Sequence, residues 1–538
     1  MKCPNCNGTL YYNIKNRNLK CVNCDSTFDV NEYDKNNIAS EYEAEDGKLY
    51  TCKNCGAELI SCNDEAVSYC QYCGSEQILE SELAGIRKPK YIVPFKITKS
   101  ECKKIYEDRL KGNHFVPKDF KDPDFIDKFR PFYIPYWMYT IKFRDDEFEL
   151  EAFKNYTIGN YDYYDEYLLK TKLDDKGVYG IPYDASRNFD DTIAENIAPF
   201  KKKDIVEYKQ GYLAGMYADA PNVDAEVYEE EVVKKATDKA MEDLSVKAGG
   251  ANIKLPKRKT AIEFLDAHYE GAETIYLPVW FLTWKNNDRV AYAIVNGQTG
   301  KIHIDLPVDT KTFFRNTVLL GAILFVLLTL FISVTSRFII WFSALMVYVV
   351  SRVYYNELKS IRDRENHVFD KGYLLEEGEK LAMSERKRKR LGRKIRKSYE
   401  DKSLSIITIN LILIIVIFAS FSFMYSLYVS QEGAKGLTAL IFILQVFPFV
   451  KIVNISRFLK NKRSLLTAFF SMGAILYSLS VALSEPVQDW IYYAGGLLNL
   501  AAASAMALDL IIRYNEVSTR PLPSFFSRKG GNDNAKEN

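Results

Sequence analysis

The sequence predicts a multidomain chain. It has two N-terminal cysteine ribbons, a soluble α+β domain with signs of internal duplication, and an all-α membrane domain of about six helices. Three observations carry this expectation. Four Cys-x-x-Cys pairs crowd the first 73 residues, residues 85–308 mix strand and helix signals, and long apolar runs alternate with basic stretches after residue 312. At 538 residues the chain exceeds one ordinary core. Its formal net charge of +2 hides the split between a polar first half and an apolar second half.

The ribbons come first. Eight of the ten cysteines form the pairs Cys3/Cys6, Cys21/Cys24, Cys52/Cys55 and Cys70/Cys73. Fourteen residues separate the two pairs of each unit, and the second unit repeats the first at a period of 49 residues. Two residues between cysteines let a tight turn aim both sulfurs at one point, and two such knuckles supply four thiolates. This predicts two structural zinc ions, one held by Cys3, Cys6, Cys21 and Cys24, the other by Cys52, Cys55, Cys70 and Cys73. Four protein ligands leave no open position for catalysis. A redox dithiol or a rubredoxin-type iron site would use the same residue type, but neither accounts for four pairs in duplicate. The repeat favours ligation within each unit over a crossed arrangement. Such a unit is too small for its own core, so the metal supplies folding energy. The chain opens on a ribbon without an apolar leader, which fits a reducing compartment. Cys62 and Cys102 stand outside the pattern and read as buried or incidental thiols. The expected boundaries are 1–30 for the first ribbon, 31–48 for an acidic linker and 49–80 for the second ribbon.

In residues 85–308, helices are expected around Glu101–Leu110 and from Asp224 to Gly249. Val232, Ala236, Ala240 and Leu244 share one face of the second. Strands are expected at Ile275–Trp284, Val290–Val295 and Lys301–Asp305, with a hairpin turn over Asn296–Gly300 whose glycines supply positive φ. Ile134-Pro135-Tyr136-Trp137 echoes Leu277-Pro278-Val279-Trp280. Each proline is expected at a strand start and each tryptophan in the core. A catalytic reading finds little support. The four histidines, His114, His268, His303 and His367, show no ligand spacing, and the sequence contains no phosphate-binding, nucleophile-elbow or metalloprotease motif. The chain is therefore expected not to be an enzyme.

A bilayer core needs about 20 apolar helical residues. Six spans are expected: Thr317–Val334, Phe338–Tyr355, Ile406–Val429, Leu437–Val453, Leu465–Leu483 and Trp490–Ile512. They form hairpins over 312–355, 403–453 and 464–513. The second span is the weakest because Arg352 interrupts it. Nine of the twelve residues Arg386–Lys397 are basic, within a loop expected over 356–402. Further basic residues follow the fourth and sixth spans, whereas the alternate loops are short and poor in them. Positive residues mark the cytoplasmic side, so both termini, including the tail 514–538, are expected there. The basic run is expected to meet anionic lipid headgroups. Asn410, Gln445 and Asn499 are the polar residues expected at depth. No acid or base is expected mid-span apart from Arg352, which disfavours a transporter.

These features together resemble bacterial membrane proteins with N-terminal zinc ribbons, often labelled as containing a transcription-factor-IIB-type ribbon or likened by name to the primosomal helicase. The resemblance rests on the ribbons, on Ile134–Trp137 with Gln210–Asp219, and on Leu277–Trp280 followed by Val295–Lys301 and a membrane helix. It covers roughly residues 1–335. It implies a membrane scaffold with flotillin-like membrane partners in envelope stress. Two ribbons and about six spans depart from simpler relatives. The functional expectation is a membrane-anchored adaptor that docks cytoplasmic or membrane partners through its ribbons. A membrane-tethered nucleic-acid binder is the alternative, though Lys2, Lys20 and Lys53 are the nearest bases to the knuckles. A transporter or lipid-handling protein is the third reading.

Overall fold

A computed structural model describes residues 1–37, 48–52, 57–61, 70–75, 80–82, 89–144, 146–159, 161–172, 182–186, 191–256, 259–286, 289–331, 336–365, 431–459 and 461–521. Cys55, Cys62, His367, Asn410, the third expected span and the basic run Arg386–Lys397 lie outside these residues.

The soluble half is built on one antiparallel pair of long strands, Arg130–Lys142 and His268–Asn286. Their register places Ile134 opposite Leu277, the first residues of the two echoing segments. A local two-fold axis therefore passes between these residues. Around it the sheet runs Val206–Glu207, Tyr91–Ile92, His268–Asn286, Arg130–Lys142, Tyr217–Asp219, Glu58–Ser61, Lys48–Thr51, Glu80–Glu82. The duplication extends beyond the echo. Tyr91–Ile92 lies parallel to His268–Asn286 with Tyr91 opposite Ile275, and Tyr217–Asp219 lies parallel to Arg130–Lys142 with Tyr217 opposite Phe132. Each short strand leads into a helix, Lys99–Leu110 or Glu229–Lys247, and then into the long strand of its own repeat. Each short strand thus pairs with the long strand of the other repeat, so neither repeat closes its sheet alone.

The tryptophans obey the same symmetry. Trp280 Nε1 donates to the Ile97 carbonyl and Trp137 Nε1 to the Val223 carbonyl, each at 2.8 Å and each just ahead of the other repeat's helix. Both indoles are packing groups with their polar handle satisfied. The prolines differ from expectation, since both lie inside strands. The Pro135 carbonyl accepts from Ala185 N–H and the Pro278 carbonyl from Gly297 N–H, both at 2.8 Å. A strand residue turns its nitrogen and its carbonyl to the same side. Each proline nitrogen therefore faces away from the central partner, and the central ladder loses no hydrogen bond. The Asn296–Gly300 turn also differs in part. Gly300 has φ +75°, but Gly297 is required for space, because a Cβ there would lie 2.6 Å from the Phe95 ring.

The stretch expected as a linker from residue 31 begins as the helix Val30–Asn37. Asp29 accepts from the Asn31 and Glu32 backbone nitrogens, an N-cap that favours helix over coil despite the acidic composition.

In the C-terminal half, four helices among the described residues are long and apolar enough to cross a membrane: Ser336–Asp363, Lys435–Phe458, Lys462–Ser484 and Asp489–Glu516. The helix Thr310–Phe331 overlaps the first expected span. Helix extends to Glu365, so residues 356–365 belong to the bundle rather than to the basic loop. Gly496 allows close approach of two helices, since a Cβ there would lie 2.6 Å from Ile339 Cγ2. Arg352 is accommodated over the Phe447 ring, 5.4 Å from its centroid.

Polar side chains tie the bundle from within. Asn499 Nδ2 donates to Ser343 and Ser478, each at 2.8 Å, and Gln445 Nε2 donates to Ser351 at 2.9 Å. Near the end of the last span the bundle also buries an acid, Asp509, which is 4% exposed. Its Oδ2 accepts from Ser464 Oγ at 2.7 Å and from the Tyr354 hydroxyl, and Arg513 Nε lies 3.6 Å from Oδ1. A charge this close to the span's end is hidden in hydropathy averages by the apolar residues around it. Asp509→Ala strands Tyr354, Ser464 and Arg513 together, at a cost of about 1–3 kcal/mol. Asn499→Leu should cost roughly 0.6–1.7 kcal/mol. Thermal melting of the detergent-solubilised protein reads the order of the two, and an Asp509→Ala protein that melts with the wild type contradicts this role.

Candidate metal centres

The first ribbon is a three-stranded sheet of Leu10–Asn13, Asn18–Cys21 and Thr27–Phe28. Leu10, Tyr12 and Leu19 are buried beneath it. Its knuckles are fixed by backbone bonds from Cys3 N to Gly8 O at 2.7 Å and from Cys21 N to Ser26 O at 2.9 Å. The second unit repeats both at the 49-residue period, with Cys52 N to Ala57 O and Cys70 N to Ser75 O, each at 2.9 Å. The left-handed residue after each second knuckle also recurs, as Asp25 at φ 58° and Gly74 at φ 67°.

The thiols converge as the spacing requires. Cys3, Cys6, Cys21 and Cys24 form one group with all sulfurs within 4.8 Å of one another, and Cys52, Cys70 and Cys73 form another. Both groups lie within single repeats, the grouping that sequential rather than crossed ligation requires. Sγ–Sγ separations are 3.7 Å for Cys3–Cys24, 3.4 Å for Cys6–Cys21 and 3.7 Å for Cys52–Cys73. A tetrahedral ion with metal–sulfur bonds of about 2.3 Å sets its sulfurs roughly 3.8 Å apart, whereas a disulfide needs about 2.05 Å. The groups therefore fit a metal ion and are too open for bonded pairs. Ser26, with its hydroxyl 3.2 Å from Cys24 Sγ, holds the Cys24 thiol down to about 6, which favours the ligating thiolate. The hydrogen bond from the neighbouring Cys24 pushes the Cys6 thiol up to about 12. Cys102 is buried in the helix Lys99–Leu110, where burial pushes its thiol up and leaves it unreactive. Among the described residues no histidine joins these sites. His303 lies beside Asp305 and Asn196, and His268 beside the Asp266 carbonyl.

The two centres have different surroundings. Cys6 and Cys24 are exposed, whereas Cys52, Cys70 and Cys73 are all buried. The second knuckle sits inside the domain core, on the face of the sheet that carries Phe132, Ile134, Leu277 and Phe281. Its backbone is held from the long strands. Thr283 Oγ1 donates to the Gln71 carbonyl, and the Tyr292 hydroxyl donates to the Tyr72 carbonyl at 2.8 Å. Tyr72 itself donates to the fully buried Asp219 at 2.5 Å, and burial pushes its phenol far above the ordinary range. The first ribbon packs on the opposite face, in the cluster that holds Tyr133, Tyr276 and Trp280.

The sequence marks Gln210–Asp219 as part of the resemblance, but its role as the strip that seats both centres was missed. Residues Gln210–Asp219 run beneath the first ribbon, where Gly211 meets Val30, Gly215 meets Tyr11, and the Ala214 carbonyl accepts from Tyr12 N–H at 2.8 Å. The strip then becomes the strand Tyr217–Asp219, pairs with Glu58–Ser61 of the second unit, and ends on the carboxylate that receives Tyr72. Two glycines four residues apart in an otherwise bulky segment were the available signal.

The chain is similar to YdjG of Bacillus subtilis (strain 168), an uncharacterized protein. The two are 26% identical over 311 residues, which cover 56% of this chain and 88% of YdjG. No family model and no solved structure matches.

The exposure difference predicts two phases of metal loss. A chelator should strip the first centre quickly and loosen that ribbon, with little change in the melting temperature of the rest of the domain. The second should resist until the domain opens, and its loss should lower the melting temperature sharply. Metal content followed against time tests this, and a single phase contradicts it.

Proposed function

We propose that this chain is a membrane-anchored zinc-ribbon adaptor that docks cytoplasmic or membrane partners. Two structural zinc ions occupy the cysteine centres, with Cys55 as the fourth ligand of the second. Both termini face the cytoplasm, and the basic run Arg386–Lys397 rests on anionic headgroups. The asymmetry of the two centres carries this reading. The second centre is enclosed in the core and acts as a structural brace. The first has one face on the strip Gln210–Asp219 and leaves Cys6, Cys24 and Val22 outward, with Val22 62% exposed at the knuckle tip. An apolar side chain on a rigid, metal-set turn is a preorganised contact for a protein partner. Closed four-thiolate sites offer no position for substrate, so the adaptor role needs no catalytic step.

The burial of Asp509 favours a second reading, a transporter or lipid-handling bundle, because ionisable groups inside spans commonly mark pathways. The bonds from Tyr354 and Ser464 to its Oδ2, and the approach of Arg513 to its Oδ1, fit a structural tie better.

Affinity purification from detergent-solubilised membranes tests the adaptor reading, with zinc measured on the same sample. Val22→Glu should lose the ribbon partner while keeping both ions and the melting temperature. Cys3→Ser should lose the partner and one ion, and Cys52→Ser should destabilise the whole soluble half. Partners retained by both Val22→Glu and Cys3→Ser contradict docking through the first ribbon.

A further inference from the structure

The hairpin Phe148–Ile158 and Tyr161–Thr171 projects from the end of the sheet opposite the bundle. The bundle end is fixed where Arg520–Pro521, just after the last membrane-capable helix, pairs with Arg289–Val290. The hairpin follows Lys142, which pairs with His268 at the other end of the long strand His268–Asn286. At about 3.3 Å per residue, the two ends are on the order of 50–60 Å apart. The arm is therefore held away from the membrane, toward soluble partners.

Its surface is unusual for a solvated hairpin. Opposed residues share a face, and on one face Phe148 and Leu150 are buried at the base. Farther out the same face presents Tyr167, Tyr163, Tyr156 and Tyr161 uncovered, with Tyr161 74% exposed. Tyr156 and Tyr163 stack at 5.4 Å, so the platform is ordered without a cover. The hairpin carries five carboxylates against two lysines, a net charge of −3. Lys254 pairs with Glu151 at 2.9 Å and lies 3.9 Å from Glu166, but Asp162 and Asp165 make no ion pair among the described residues. Tyr161–Thr171 is also an edge strand, paired only with Phe148–Ile158 among the described residues. Only two residues separate Ile158 from Tyr161, which puts this pair in the hydrogen-bonded position. Asp162, Tyr164, Glu166 and Leu168 then turn their backbone N–H and C=O outward.

We propose that this arm is a second docking surface, one that takes an extended Lys/Arg-rich segment of a soluble partner as an added strand. The open edge supplies main-chain hydrogen bonds. Asp162 and Asp165 supply charge complementarity, and the tyrosine rings cover lysine and arginine stems and attract their cationic heads. The surface is separate from the first ribbon, so each can fail without the other.

The test uses the full-length protein in nanodiscs and fluorescence anisotropy of a short labelled peptide alternating lysine and valine, with an alternating glutamate–valine peptide as control. The basic peptide should bind and weaken as salt rises, and the acidic one should not bind. Leu168→Pro removes an outward N–H while sparing the bonds to Phe148–Ile158, so it should abolish binding. Asp162→Lys with Asp165→Lys should weaken it at least about tenfold, while Val22→Glu should leave it unchanged. Should Leu168→Pro lower the melting temperature, the charge-reversal pair decides. Absence of basic-peptide binding, binding that survives both variants, or equal binding of the acidic peptide overturns the proposal. A concentration-dependent dimer that Leu168→Pro dissolves also overturns it, because the occupant of the edge is then a second copy of the chain.

Discussion

The pairing of Arg130–Lys142 with His268–Asn286 is the constraint on which the soluble half depends. Its register about Ile134 and Leu277 fixes which residues face each side. A shift of one residue would exchange the two faces. Tyr133, Tyr276 and Trp280 would then leave the side that holds the first ribbon, and Phe132, Leu277 and Phe281 would leave the side that holds the second knuckle. The exchange of short strands between repeats reinforces the register. Tyr91–Ile92 and Tyr217–Asp219 each bind the other repeat's long strand, so slippage would break both at once. This also explains why prolines persist at 135 and 278. Their missing donors face outward, where only their carbonyls are used.

The cysteine sites were nearly all legible in the sequence, because a tetrahedral ion imposes spacing directly on the chain. Two residues within a knuckle and a fixed interval between knuckles are local constraints. The apolar helices were legible for a related reason, since hydropathy sums over neighbours in sequence. Contacts between distant segments left weaker traces. The seat at Gln210–Asp219 shows only as two glycines. The hydrogen bonds to Asp509 Oδ2 come from Tyr354 and Ser464 on two other helices. Strand ends were also misjudged: periodicity stopped the second long strand at Ile275–Trp284, whereas it spans His268–Asn286. Its first residues alternate poorly because they pair near the sheet's far edge, where little is buried.

The two ribbons show how one repeat can diverge in role without changing its ligand chemistry. Both keep the same knuckle hydrogen bonds, and both groups of thiols suit the same kind of ion. They differ in what the outer surface touches. Around the first, the solvent side is open. Around the second, Thr283, Tyr292 and Asp219 take the carbonyls and the phenol of Gln71 and Tyr72. Each such bond is worth about 1 kcal/mol net, yet losing one partner of a buried pair costs more than the bond contributes. The knuckle is therefore hard to release while the sheet is intact, and the sheet is hard to form while the knuckle is loose.

This mutual dependence reaches the bundle through few contacts. Thr283 and Tyr292 belong to the two strands of the hairpin that ends at Asn286 and Arg289. The Arg289 guanidinium donates to the Glu516 and Thr519 carbonyls and to the Thr519 hydroxyl, and Asn515 bonds both the N–H and the carbonyl of Val308. One turn of helix separates Glu516 from Arg513, which approaches the buried Asp509. The buried cysteine cluster, the sheet and the last helix are thus joined by consecutive directional bonds rather than by apolar contact alone. Apolar contact would let the soluble half rotate on the bundle at little cost. Directional bonds fix its angle, so the long strands hold the tyrosine arm and the open ribbon at defined positions relative to the membrane-capable helices.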